Sequence, residues 1–76
     1  MHEAYREYMN FHGRRFLIII FEDEHRSLLK IFLNRELIYQ VPVQELSKVP
    51  TDPKAAATNP FSGVTNEARQ WIGQHY

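Results

Sequence analysis

Basic and aromatic residues are the side chains of this chain whose chemistry best suits a ligand. Arginine and lysine bind phosphate groups and aromatic rings stack on bases, so the two types together can bind nucleic acid. The nine Lys and Arg are balanced by nine Asp and Glu, for a net charge of zero. This balance argues against a broad cationic field but leaves a local basic patch open as an alternative. The candidates for such a patch are Arg14, Arg15, Lys30, Arg35 and Tyr39.

Metal and catalytic chemistry have less support. Residues 22–25 read Glu-Asp-Glu-His, but neighbours in one turn rarely converge on a single ion, and no histidine pair has zinc-ligand spacing. No serine lies in a glycine-flanked elbow, and the three glycines form no phosphate-binding loop. We therefore predict a non-enzymatic protein with no catalytic residue, no metal, no cofactor and no small-molecule substrate.

The apolar run Phe-Leu-Ile-Ile-Ile-Phe at residues 16–21 must be covered on both faces. Its β-branched and aromatic content predicts a first strand over residues 14–22, and apolar alternation predicts a second over 27–33 and a third over 36–43. Pro42 cannot donate a ladder hydrogen bond, which indicates that the third strand lies at an edge or that its pairing ends there. A rival interpretation makes residues 23–39 one helix.

Helical spacing of apolar residues appears at both ends of the chain. Residues 2–12 predict a short amphipathic helix that stops at Gly13, and residues 64–76 predict a longer one capped by Thr65 or Asn66. Between the strands and the closing helix, prolines and polar residues predict a long surface connection at about 44–63. The predicted fold is an α+β domain over residues 1–76, a three-stranded antiparallel meander flanked by a short N-terminal helix and a C-terminal amphipathic helix.

Tight turns in this meander leave the first strand, the most apolar of the three, at an edge. An exposed apolar edge strand invites pairing with another chain, and a chain of 76 residues gains stability by association. Coverage by the terminal helices alone is the competing interpretation. We expect a binding or regulatory module that acts through a protein partner or a homodimer at the first-strand edge, with partner contacts from Phe16, Ile18, Ile20, Trp71 and Tyr76.

The location of the protein follows from composition. The chain has no cysteine, so no disulfide reinforces it. The longest apolar run is shorter than the roughly 20 residues that span a bilayer, and Glu3 and Glu7 precede it, unlike in a signal peptide. We expect a soluble cytoplasmic protein.

Two family resemblances bear on the nucleic-acid alternative. The predicted order of helix, three strands and helix is that of double-stranded RNA-binding domains, although residues 65–67 open the last helix with an acid where those domains have basic residues. The stretch 13–40 has an Ile-rich strand, an acidic turn, a second apolar strand, then Arg35 and Tyr39, and it resembles the strand core of RelE/ParE-type toxins. That likeness implies ribonuclease activity, but those toxins carry two helices before the sheet.

Overall fold

The computed structural model describes residues 1–45 and 61–76. Four antiparallel strands form one sheet in the order β1-β2-β3-β4, followed by a short 3-10 turn and one α-helix, α1. The class is therefore α+β, as predicted, but the sheet has four strands rather than three and no helix precedes it. The elements are β1 (His2–Phe11), β2 (Arg14–Glu22), β3 (Ser27–Leu33), β4 (Glu36–Pro42), the 3-10 turn (Val43–Glu45) and α1 (Ser62–His75).

The helix predicted over residues 2–12 is wrong, because this segment is strand β1. It pairs with β2 in a register that sets Tyr5 opposite Ile20 and Phe11 opposite Arg14. Tyrosine and phenylalanine fit a pleated surface, and pairing with the apolar β2 outweighs weak helical periodicity. Gly13 closes a two-residue hairpin turn with φ of 74°, where His12 also has a positive φ of 50°. Glycine adopts this left-handed conformation without steric cost, so it marks a hairpin here and not a helix end.

The predicted second and third strands are confirmed by β3 and β4, and the rival helix over 23–39 is excluded. β4 is an edge strand, as the proline at its end indicates. β2 has neighbours on both sides, so the edge expected for it is occupied by β1. Most of the connection predicted at 44–63 lies outside the described residues.

α1 packs across one face of the sheet and completes the core. Ala68 and Ile72 of the helix are fully buried against the inward side chains of the strands. The predicted caps are wrong, because Thr65 and Asn66 lie inside the helix and Phe61 precedes its first residue. The strand side chains of this core are Phe16, Ile18, Ile20, Leu29, Ile31 and Val41.

Candidate functional site

The two faces of the sheet are covered differently. Successive residues of a strand point to opposite faces, so the residues that alternate with the core side chains share the second face. No described element lies over that second face, which we call the open face. By register it carries Glu3, Arg6, Tyr8, Asn10, Arg15, Leu17, Ile19, Phe21, Leu28, Lys30, Phe32, Leu37, Gln40 and Pro42.

A line of apolar side chains crosses the open face from edge to edge. Tyr8 pairs with Leu17, Leu17 with Phe32, and Phe32 with Leu37, so all four strands contribute one residue. With neighbouring strands about 4.8 Å apart, this apolar row is about 14 Å long. Its ends are the most exposed, with Tyr8 at 49% and Leu37 at 46%. The row therefore offers two aromatic rings and two aliphatic side chains on one accessible strip.

Basic side chains flank the apolar row on both sides. Arg15 lies two residues along β2 from the row, and its guanidinium carbon is 4.1 Å from the centre of the Tyr8 ring. Lys30 lies on the other side, with its ammonium 5.0 Å from the centre of the Phe21 ring. Such contacts are favourable because the face of an aromatic ring is negative. The long aliphatic stems of these residues also cover apolar surface, and Ile19 beside them is only 5% exposed.

The charge on the open face differs in sign from that of the remaining described residues. Four basic side chains, from Arg6, Arg15, Lys30 and Arg35, lie on this face or at its margin against one acidic side chain, Glu3. Glu3 is held by Arg6 at 2.7 Å, and this hydrogen-bonded carboxylate raises the pKa of Arg6. The other described acids lie on the helix face, in the β2–β3 turn, in the 3-10 turn or on α1. A chain with no net charge thus presents a positive local surface.

A groove of about 610 Å³ indents the open face at the end where the β1–β2 and β3–β4 hairpin turns meet. This volume falls within the range of small-ligand sites. Two arginines, Arg15 and Arg35, contribute its positive charge, and we call them the turn-end arginines. The groove is lined by Tyr8, Arg15, Leu17, Ile19, Phe32, Asn34 and Arg35.

The residues predicted to contact a protein partner divide into two groups. Phe16, Ile18 and Ile20 are fully buried beneath α1, so a partner could reach them only by displacing the helix. Trp71 is half-buried between two rings, with centroid distances of 4.4 Å to Tyr39 and 4.3 Å to His75.

Tyr76, the other predicted partner contact, is partly exposed and packs edge-on against Phe16 at a centroid distance of 5.2 Å. Together with the Tyr39–Trp71–His75 stack it closes one end of the helix face. These aromatic side chains thus contact the fold itself.

The structure brings three of the five predicted nucleic-acid residues together on the open face: Arg15, Lys30 and Arg35. Arg14 and Tyr39 lie on the opposite side, where Arg14 is 5.5 Å from the centre of the Tyr76 ring and Tyr39 stacks on Trp71. Sequence reasoning missed the contributions of Arg6 and Tyr8, because residues 2–12 were interpreted as a helix. The aromatic content of that segment, from Tyr5, Tyr8 and Phe11, was the available signal for a strand.

Two further polar contacts hold the elements that form the open face. Arg69 of α1 donates to Glu7 of β1 at 2.7 Å, and the second carboxylate oxygen of Glu7 is buried without a hydrogen bond among the described residues. In the β2–β3 turn, Oδ1 of Asp23 accepts from the backbone N–H groups of His25 and Arg26, each at 2.8 Å. These hydrogen bonds lower the pKa of Asp23. Neither contact lies on the open face, so both serve the scaffold.

Among residues 1–45 and 61–76, no cluster of three or more His, Asp or Glu side chains is arranged to hold a metal ion. Within the same ranges no helix has the length and apolar character needed to cross a bilayer. Within the described residues, four strands precede one helix, so the order of helix, three strands and helix that suggested a double-stranded RNA-binding domain is absent. Comparisons with protein-family models, with curated proteins and with solved structures find no match for this chain.

Proposed function

We propose that this protein binds single-stranded nucleic acid on the open face of its sheet. The observation that carries the proposal is the apolar row, with Tyr8 and Phe32 in it, flanked on both sides by basic side chains. Proteins that bind single strands combine aromatic rings for bases with cations for the phosphate backbone. The rings and the basic side chains of the open face lie close enough together for a strand of a few nucleotides to contact both.

Single strands suit this surface better than duplexes. The bases of a single strand are free to stack on side chains, whereas a duplex presents mainly phosphates and groove edges. Phe32 and Tyr8 would stack on bases. Leu17 and Leu37 of the apolar row would contact the adjacent nucleotides. Lys30 and the turn-end arginines would then contact phosphates on either side of the row.

The charge of the open face favours a polyanion over a second protein chain. Lys30 lies between apolar side chains of this face, and lysine is depleted in the cores of protein interfaces. A second copy docked on the same face would bring two positive surfaces together. The charge separation between the open face and the other described residues supports an anionic ligand.

Fluorescence anisotropy with labelled 12-nucleotide oligo(dT) and oligo(U) tests the proposal on the full chain. We expect binding whose logarithmic affinity falls linearly with the logarithm of salt concentration. About three phosphate contacts, from Arg15, Lys30 and Arg35, give a slope of about −2 at about 0.7 per contact. The two oligonucleotides distinguish DNA from RNA as the ligand.

Adjacent arginines provide a matched pair of variants. Arg15→Gln should weaken binding and reduce the slope by about 0.7, because one phosphate contact is lost. Arg14→Gln removes the same charge from the opposite side of the sheet and should leave the slope unchanged. Equal effects of the two variants would mean that binding does not use the open face.

The aromatic contribution is tested by Phe32→Leu, which keeps an apolar side chain but removes the ring. Loss of stacking on one base should cost about 1–3 kcal/mol of binding free energy with no change in the salt slope. No binding by the wild-type protein, or equal competition by a duplex of the same length, refutes the proposal. Salt-insensitive self-association that Leu37→Ser abolishes would instead identify the open face as a protein interface.

A further inference from the structure

We infer that the groove at the hairpin end is the site for one nucleotide of the bound strand, with Arg35 as the ligand of its phosphate. This inference rests on the proposed function and names the part of the open face that holds the phosphate backbone of the nucleic acid. The groove combines an aromatic wall from Tyr8 and Phe32 with two guanidinium groups. A nucleotide has the matching parts, an aromatic base and a phosphate.

The backbone at Arg35 supplies the observation that singles out this residue. Asn34 and Arg35 form the two-residue turn between β3 and β4 with φ of 53° and 68°. Such a turn requires positive φ at both positions, and Asn followed by Gly is its preferred sequence. A long side chain at the second position carries a conformational cost that glycine would avoid.

The other hairpin of the same sheet shows the less costly solution. The β1–β2 turn has glycine at its second position, Gly13, with φ of 74°. The two turns lie at the same end of the sheet, since Phe16 pairs with Leu33. Arg35 therefore occupies a position that folding alone would fill with glycine, and its guanidinium lines the groove. Strained backbone conformations cluster at ligand-binding sites, which supports a binding role for this side chain.

The chemistry of the groove fits a phosphate. Guanidinium groups bind phosphate oxygens through two parallel hydrogen bonds. Arg15 is held in place by its contact with the Tyr8 ring at 4.1 Å and keeps its charge for a second phosphate. None of the ion pairs among the described residues includes Arg35. The amide side chain of Asn34 adds a hydrogen-bond donor beside it. Arg35 thus has its charge available for a phosphate, while Phe32 offers a ring to the base.

The test is the variant Arg35→Gly, which removes the guanidinium and relieves the turn. We expect its urea midpoint to equal or exceed that of the wild type, because glycine adopts positive φ freely. Its affinity for the 12-nucleotide oligo(U) or oligo(dT) should fall about 10-fold or more, the effect of losing one hydrogen-bonded charge contact. The salt slope should shrink by about 0.7.

Two companion variants separate the side chain from the backbone. Arg35→Lys keeps the charge and the strained turn, so the salt slope should be unchanged. Its affinity should fall less than that of Arg35→Gly, because lysine lacks only the two parallel hydrogen bonds of the guanidinium group. His12→Asn eases the other turn, because asparagine tolerates positive φ, and it should leave the affinity unchanged. Loss of affinity in His12→Asn equal to that in Arg35→Gly would attribute the effect to turn geometry and overturn the inference.

Mononucleotides give a second readout that does not depend on the rest of the open face. Uridine 5′-monophosphate should shift the backbone amide signals of Asn34 and Arg35 in ¹H–¹⁵N spectra, and uridine without the phosphate should not. Thymidine monophosphate is the matching DNA probe. Identical shifts with nucleoside and nucleotide would contradict a phosphate site.

The outcomes distinguish the two proposals. If the wild-type protein binds oligonucleotides and Arg35→Gly binds them equally well with the same salt slope, the nucleotide site is refuted and the proposed function stands. If the wild-type protein binds neither oligonucleotides nor mononucleotides, both are refuted.

Discussion

The helix face and the open face of the sheet are built from similar side chains but are covered in different ways. On β2, Phe16, Ile18 and Ile20 point to the helix and are fully buried, while the alternating Leu17 and Phe21 keep part of their surface exposed. An α-helix covers the first face. On the open face, no described element plays this part. The aliphatic stems of arginine and lysine partly cover the apolar side chains there.

This difference shows that the surroundings of a strand, and not its own sequence, decide what its two faces do. Both faces of β2 are apolar, yet β1 and β3 contribute Met9 and Ile31 on one side and Tyr8 and Lys30 on the other. The helix face therefore serves stability, and the open face keeps apolar side chains accessible between charges. Two sets of variants test this division and a third tests the β2–β3 turn outside it, in order of decreasing effect.

The largest effect is expected from shortening neighbouring residues of β2. Ile18→Ala removes fully buried carbon atoms and leaves a cavity beneath α1, at a cost of about 2–5 kcal/mol in the free energy of unfolding. Leu17→Ala removes the same number of carbon atoms from the open face and should cost about 1 kcal/mol. Urea unfolding measures both.

Affinity should respond in the reverse order. Leu17→Ala removes part of the apolar row and should weaken oligonucleotide binding, whereas Ile18→Ala should bind normally under conditions where it is folded. Equal stability losses in the two variants would show that the open face is as well covered as the helix face, and the division would fail.

The sequence predicted the helix face better than the open face. The run at residues 16–21 and the stripe around Ala68 and Ile72 predict core positions, and the alternating residues Phe16, Ile18 and Ile20 of the run do occupy the core. Leu17 and Phe21, which the sequence also predicts to be covered, keep part of their surface exposed. The open face depends on the register of four strands, which brings Tyr8, Phe32 and Leu37 into one row from distant positions. Register follows from pairing, and the pairing of β1 was missed because its ten residues also fit a helix. The positive φ of Arg35 could not be predicted either, because arginine is not a residue type typical of left-handed turns.

Two ion pairs on neighbouring residues of β1 give the second comparison. Glu7 points to the helix face, where its side chain is 16% exposed and bonded to Arg69, and Arg6 points to the open face with its guanidinium on Glu3. Arg69→Met leaves a mostly buried carboxylate without this donor and should cost about 1–3 kcal/mol. The single variant Glu7→Leu removes the buried carboxylate itself and leaves Arg69 in solvent, so the free energy of unfolding should hardly change.

The exposed pair is the control for the buried one. Arg6→Gln breaks a solvated ion pair, so the urea midpoint should hardly move. A loss as large as that of Arg69→Met would mean that open-face contacts also hold the fold together, which contradicts the division between the faces.

The smallest effect concerns the β2–β3 turn, which belongs to neither face. Two backbone N–H groups lower the pKa of Asp23 in the folded protein below the value of about 3.9 expected when unfolded. A group with a lowered pKa stabilises the fold above its unfolded pKa, and that contribution is lost as the pH falls through the folded pKa. The free energy of unfolding should therefore decrease as the pH falls from about 5 through the folded pKa of Asp23.

Asp23→Asn keeps an oxygen that can accept both hydrogen bonds but cannot titrate, so its unfolding free energy should fall less over this pH range than that of the wild type. Glu24→Gln removes an exposed acid from the same turn, where no described group donates to it, and should follow the wild-type profile. If the unfolding free energy of Asp23→Asn fell with pH as steeply as that of the wild type, the acid-dependent loss of stability would not come from Asp23. At neutral pH, oligonucleotide affinity should be the same in Asp23→Asn and the wild type, because the turn lies at the opposite end of the sheet from the turn-end arginines.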